Sequence, residues 1–162
     1  MKKEIKIQYE TFSSIEELDK ASADLLSAAQ QCMNKAYAVY SGFHVGAALL
    51  LDNGEIVTGN NQENIAFPSS MCAERVALYY CKANAPDSKV LKIAIAARAT
   101  DVLLDDPITP CGACRQVMSE YERIQGQDIQ VILKAEAGDI LVFDSVTNLL
   151  PLAFQSQTLI KK

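Results

Sequence analysis

Three cysteines and one acid are placed to do chemistry in this chain. Cys111 and Cys114 stand two residues apart in TPCGACRQ (residues 109–116), and Cys72 is followed two residues later by Glu74 in MCAER (residues 71–75). Zinc takes thiolate sulfur in tetrahedral geometry, and three protein ligands leave a fourth position open for water. A closed structural site would need a fourth ligand, and none is convincing. His44, the only histidine, reads as a loop residue in SGFHVG before a strand, without ligand spacing. Cys32 and Cys81 fall inside helical patterns among apolar neighbours and read as core. Five cysteines at irregular spacing, with no secretion signal ahead of them, favour a metal or catalysis over a disulfide framework. A redox C-x-x-C follows the first strand of a βαβ unit; here the pair comes late and has a third cysteine partner.

Taken alone, Glu74 is a first-turn acid that complements a helix dipole. Beside both C-x-E and P-C-x-x-C it reads differently, because that pairing is the signature of the zinc nucleobase deaminases. A carboxylate near a zinc-activated water can take its proton and return it elsewhere. Three thiolates on Zn²⁺ sum to −1, which blunts the metal, so electron density has to be withdrawn from the sulfurs. Helix N-termini do this, and Arg75 is the candidate hydrogen-bond donor, with Arg115 able to share the role.

These residues have to be positioned by helix starts. Residues 72–83 and 111–122 read as helices, so all three cysteines fall in or beside first turns. Upstream, a Ser14–Glu17 capping box opens a helical pattern over roughly 15–38. Residues 45–52 and 55–60 flank Asn53-Gly54 as a hairpin. The apolar run at 90–98 reads as a strand covered on both faces, 128–135 and 139–144 as further strands, and 145–151 as a short helical turn. Residues 4–10 alternate and suggest a short edge strand. The order predicts an α/β fold, a three-layer α-β-α sandwich around a mixed five-stranded sheet, in a single domain over 1–162.

Composition removes several classes. The chain has 162 residues, a net charge of −5 and no run of Lys or Arg, so the footprint for nucleic acid is missing. No apolar stretch reaches the ~20 residues of a membrane span, and no signal-peptide pattern opens the chain. The expectation is a cytoplasmic protein with neither nucleic-acid nor membrane partners.

Five ordered segments resemble the small, three-cysteine cytidine deaminases. Besides MCAER and PCGACRQ, YSGFHVGAALL (40–50) is similar to that family's Y-S-x-F-x-V-G-A-A-L stretch, GNNQENIAFP (59–68) to its G-x-N-x-E-N-x-x-Y-P stretch, and LLPLAF (149–154) to its L-L-P-x-x-F close. The resemblance spans about residues 15–160. It implies a cytidine deaminase-like fold with one Zn²⁺ per chain on Cys72, Cys111 and Cys114, and Glu74 as proton carrier. It further implies that Asn61 and Glu63 hold the ribose hydroxyls, Phe43 packs on the base, the Ala73 backbone contacts the pyrimidine, and Phe154 reaches a neighbouring subunit's site. The implied protein is a homotetramer that deaminates free cytidine and deoxycytidine to uridine and deoxyuridine in pyrimidine salvage. Phe67 replaces the family's usual Tyr, Ile65 a small residue, and residues 1–13 form an N-terminal extension. Three rivals stand beside this reading: a deaminase of another aminopyrimidine, which the intact N-x-E-N argues against; polynucleotide editing, which lacks a phosphate-tracking patch; and a structural zinc module.

Overall fold

The apolar run of the sequence forms the strand at the centre of the molecule, β4 (Val90–Ala99). The computed structural model describes residues 1–155; residues 156–162, which close the expected single domain, lie outside the described residues. Around β4 are β1 (Glu10–Phe12), β2 (Phe43–Leu51), β3 (Ile56–Asn60), β5 (Gln130–Lys134) and β6 (Ile140–Phe143). They form one sheet in the order β1-β6-β5-β4-β2-β3. Only the β4–β5 pair is parallel, and the connection between them carries the helix α3 (Gly112–Gln125), as a parallel pair requires. The sheet is mixed, as expected, but has six strands rather than five.

Alternation along the strands divides the core. Leu49, Ile93, Ile95, Val131 and Leu133 face α2 (Ala73–Asn84) and α3. Ala48, Ala94 and Ile132 face α1 (Lys20–Met33). On β2 and β4 the α1 side carries the small residues Gly46, Ala48, Ala94 and Ala96, and the helix comes very close. A Cβ on Gly46 would collide with the Ala29 carbonyl oxygen and the Met33 amide. On the other face, a Cβ on Gly59 would sit 2.5 Å from Ala77 N and 2.8 Å from Ala73 O. Glycine at these two positions sets how deeply α1 and α2 seat, and the seat of α2 fixes the height of Cys72 and Glu74.

The long helical pattern at 15–38 resolves into two pieces. Ile15–Glu17 is a 3-10 turn, and α1 starts only at Lys20. Asp19 rather than Ser14 is the helix cap. Its carboxylate accepts the Ser22 N–H at 3.0 Å and also meets Lys92 Nζ at 3.0 Å. Those hydrogen bonds hold its pKa well below the usual carboxylate range, the Ser22 hydroxyl contributing most. Strand β2 begins at Phe43, so His44 belongs to a strand rather than a loop.

The N-terminal alternation does make an edge strand, but at Glu10–Phe12 rather than 4–10. Strand β1 pairs antiparallel with β6, Glu10 opposite Val142 and Phe12 opposite Ile140. The ring of Tyr9 lies 5.3 Å from that of Phe143. This covers an apolar strand edge with a short, charged segment, a protection against edge-to-edge association. Deleting residues 1–13 is expected to lower Tm by roughly 2–8 °C, about 1–2 kcal/mol for a chain of this size, and to promote aggregation while leaving KM unchanged. Differential scanning calorimetry with steady-state kinetics checks it; a changed KM at unchanged Tm would contradict the edge-strand role.

Candidate active site

Cys72 is the N-cap of α2 and Cys111 the N-cap of α3, while Cys114 is fully buried in the first turn of α3. The two helix starts converge and bring the sulfurs together. Sγ of Cys111 lies 4.0 Å from that of Cys72 and 3.5 Å from that of Cys114. All three sulfurs lie within 4.8 Å of one another, and this is the one such cluster of metal-ligating side chains among the described residues. Tetrahedral zinc with Zn–S near 2.3 Å needs sulfurs about 3.8 Å apart, so the trio fits the ion with little movement. Cys32 and Cys81 lie outside the cluster, both in the core. His44 sits between two strand residues that face the cavity and points to the opposite side.

The electrostatics suit a cation. The Cys72 thiol is pushed down to about 5, first by the hydrogen bond with Cys114 and then by Arg75. Cys114 is driven up by the same hydrogen bond, by burial and by the Glu74 charge. Binding of a divalent ion displaces the protons that the sulfurs still hold. Arg75 Nη2 donates to Cys72 Sγ at 3.5 Å, the contact expected of a group that withdraws charge from sulfur. Arg115 touches no sulfur. Its guanidinium binds Pro110 O, Thr109 Oγ1 and Leu149 O, so the expectation that it shares the Arg75 role fails.

Glu74 is only 5% exposed. Burial raises its pKa, against the pull of its own backbone N–H and the Cys114 thiol. It lines a cavity of about 280 Å³ together with Cys72 and Cys111, a volume that suits a small molecule. Phe43, Val45, Ile95 and Ala97 supply the apolar wall, and Ile108 and Thr109 the opposite rim. Among the described residues no lysine or arginine lines it.

The cavity mouth carries Asn61 and Glu63. Both are also used by the protein itself. Asn61 Oδ1 accepts the Val45 N–H at 2.8 Å and its Nδ2 donates to Phe43 O at 2.9 Å, which holds the start of β2 and with it Phe43. An amide has capacity left, one further donor hydrogen and one lone pair. Glu63 accepts the N–H groups of Tyr40 and Ser41 and the Ser41 hydroxyl. These bonds, the hydroxyl first, lower its pKa and keep it ionised. Gln62 and Met71 exchange backbone hydrogen bonds, which anchors the chain just before Cys72. Ala73 is buried at the start of α2 and stands outside the cavity lining. Phe154 is 74% exposed and also lies away from the cavity of its own chain. Phe67 and Ile65 are exposed, the Phe67 ring packing edge-on to Tyr40 at 6.0 Å.

Residues 19–126 match the model of the cytidine and deoxycytidylate deaminase zinc-binding region. The chain belongs to this deaminase family. The matched segment carries Cys72, Cys111, Cys114, Glu74, Arg75 and Arg115; the N-terminal strand and Phe154 lie beyond it. The deaminase chain is 40% identical over 134 residues to the cytidine deaminase of Halalkalibacterium halodurans, covering 82% of this chain and 93% of that protein. It is 37% identical to the cytidine deaminase of Sporosarcina psychrophila, covering 83% and 92%. Among solved structures, the cytidine deaminase of Burkholderia pseudomallei superposes with a TM-score of 0.70 at 39% identity, covering 81% of this chain and 97% of that one. A zinc-binding family and a matching cysteine trio together assign one zinc per deaminase chain.

Two contributions to the deaminase site have no sequence signal of their own. Glu122 is buried and accepts from Ile129 N, Val146 N, Ser145 Oγ and Thr147 Oγ1, tying α3 to the residue before β5 and to the turn at Val146–Asn148. Arg115 ties the loop before Cys111. Their partners lie mostly on the backbone, which a residue pattern does not display.

Proposed function

We propose that this chain hydrolyses cytidine and deoxycytidine to uridine and deoxyuridine, releasing ammonia, as a single-domain homotetrameric enzyme of pyrimidine salvage in the cytoplasm. The observation that carries the reading is a buried carboxylate, Glu74, beside three cysteines at two converging helix starts, on the floor of a cavity of nucleoside dimensions. Bound zinc supplies Lewis acidity that makes water a competent nucleophile near neutral pH.

The chain's own residues do the rest. Phe43 packs on the pyrimidine face, and the Ala73 backbone orients the ring. Asn61 and Glu63 receive the ribose through the hydrogen-bonding capacity left after they have set β2 and its preceding turn. Glu74 takes the proton of the attacking water and passes it to N3, then takes the remaining proton of the new C4 hydroxyl and gives it to the departing amine as the C4=O bond forms. A raised pKa suits a group that must hold a proton between two transfers. Arg75 withdraws charge from Cys72, and Phe154 completes a neighbouring subunit's cavity. The absence of a cation from the lining among the described residues, with Glu63 ionised at the mouth, favours a neutral nucleoside over a phosphorylated nucleotide.

The test follows the absorbance change of cytidine, deoxycytidine and deoxycytidylate, with zinc content and sedimentation measured on the same sample. One zinc per chain, a tetramer, and turnover of both nucleosides but not the nucleotide are expected. Zinc-loaded protein without cytidine turnover would overturn the reading.

A further inference from the structure

The loop that delivers Cys111 is long and sparsely held. Residues 100–111 contain no helix or strand. Thr100 is bonded to Gly42, and Ala137 N donates to Leu104 O. From Asp105 to Pro110, the only hydrogen bonds among the described residues come from the Arg115 side chain. Yet this stretch carries Ile108 and Thr109, which line the cavity, and ends at the most exposed of the three cysteine ligands.

Arg115 is an unusual choice for its place. It lies in the first turn of α3, where the helix dipole disfavours a cation, and it has no carboxylate partner among the described residues. Its guanidinium instead reaches three separate points. Nε donates to Pro110 O at 2.7 Å, Nη2 to Thr109 Oγ1 at 2.7 Å, and Nη1 to Leu149 O at 2.9 Å. The planar fork joins the loop before Cys111, the helix that carries Cys114, and the segment leading to Phe154. The next residue strengthens the last link: Gln116 Nε2 donates to Phe154 O at 3.0 Å and its Oε1 accepts the Phe154 N–H at 3.1 Å.

We infer that Arg115 is a positioning residue of the metal site, whose guanidinium fork fixes residues 109–111 and so sets both the place of the Cys111 sulfur and the Thr109 rim of the cavity. Lysine cannot substitute, because an ammonium offers donors from a single point, whereas these acceptors need a flat, three-way donor. The inference rests on the zinc reading of the cysteine trio.

Arg115→Lys and Arg115→Gln are compared with the parent by zinc affinity in chelator competition, by the thiolate-to-metal absorption of the Co²⁺-substituted protein, by KM and kcat under zinc saturation, and by Tm of the metal-free protein. Residues that orient metal ligands typically contribute 10–100-fold in affinity. Both variants are expected to lose zinc affinity by about that factor, with Lys no better than Gln, a weakened Co²⁺–thiolate band, and a rise in KM. Thr109→Val supplies a second arm: added to Arg115→Lys, it should lower zinc affinity less than it does in the parent, because the two residues share a bond. Parent-like zinc affinity in either variant, whatever happens to Tm, overturns the inference, as does recovery by Lys or strict additivity with Thr109→Val. A parent chain that binds no zinc would instead fail the zinc reading itself.

Discussion

Glu74→Gln is expected to keep zinc and fold while losing nearly all turnover. Glutamine preserves the shape of the side chain and a hydrogen-bonding tip, but cannot accept and return a proton at neutral pH. Groups that transfer a proton in the transition state contribute typically ~10²–10⁴ in rate, and one that serves water, N3 and the leaving amine in turn belongs at the upper end or beyond. The alternative is a mere first-turn acid. In that case the substitution would cost roughly 0.3–1 kcal/mol of stability through the helix dipole and spare kcat. The burial of Glu74 sharpens the contrast: replacing a desolvated carboxyl with a neutral amide relieves a cost, so Tm should not fall. Measuring kcat for cytidine, zinc content and Tm on one preparation separates the two. Full zinc with near-normal kcat would remove the proton carrier and most of the mechanism.

Cys114→Ala should have an effect of similar size by another route. Residues that only orient a ligand commonly contribute up to ~10²-fold in metal affinity, so removing a ligand itself should exceed that. Cys114 is the natural choice because it is fully buried between the other two sulfurs and Glu74. Activity below detection and a zinc content far below one per chain are expected in atomic absorption. A cavity left by alanine would also lower the stability of the metal-free chain, by an amount separable from metal loss by repeating the melt with chelator. Cys81→Ala provides the control: it removes a buried thiol from the same core without touching the cluster, so it should lower Tm while leaving zinc bound. Zinc retained by Cys114→Ala at one per chain would show that the ion sits elsewhere.

The metal trio was legible in the sequence because its geometry is local. A cysteine at an N-cap is fixed by the helix that follows it, and a C-x-x-C within one turn can only point its sulfurs together. The α1 start was less legible. Ser14 and Asp19 both carry cap chemistry; Asp19 caps α1 through Ser22, three residues on, and is also met by Lys92, more than seventy positions away. The N-terminal strand was visible as alternation but not in extent, since its partner β6 has only four residues and pairs with three. The bonds of Asn61 to the β2 backbone, and of Arg115 to Thr109, Pro110 and Leu149, were not readable, because most of their partners are main-chain atoms that every sequence possesses. The roles given to Asn61, Glu63, Phe43, Ala73 and Phe154 came from the family resemblance alone.

The two glycines under the helices matter for how this molecule tolerates variation. Gly46 and Gly59 lie on neighbouring strands, nearly level with each other, and press against opposite layers. The sandwich is therefore thinnest at one spot, and both helices are registered from it. A saturation scan should find these positions almost binary, with every side chain excluded, including alanine. Ile65, 79% exposed, should accept nearly anything as far as folding is concerned. Laboratory evolution toward altered nucleosides thus has a fixed dimension and a free one. The thickness of the sandwich cannot drift without tilting α2 and its acid, whereas exposed positions such as Ile65 can be rewritten above an unchanged floor.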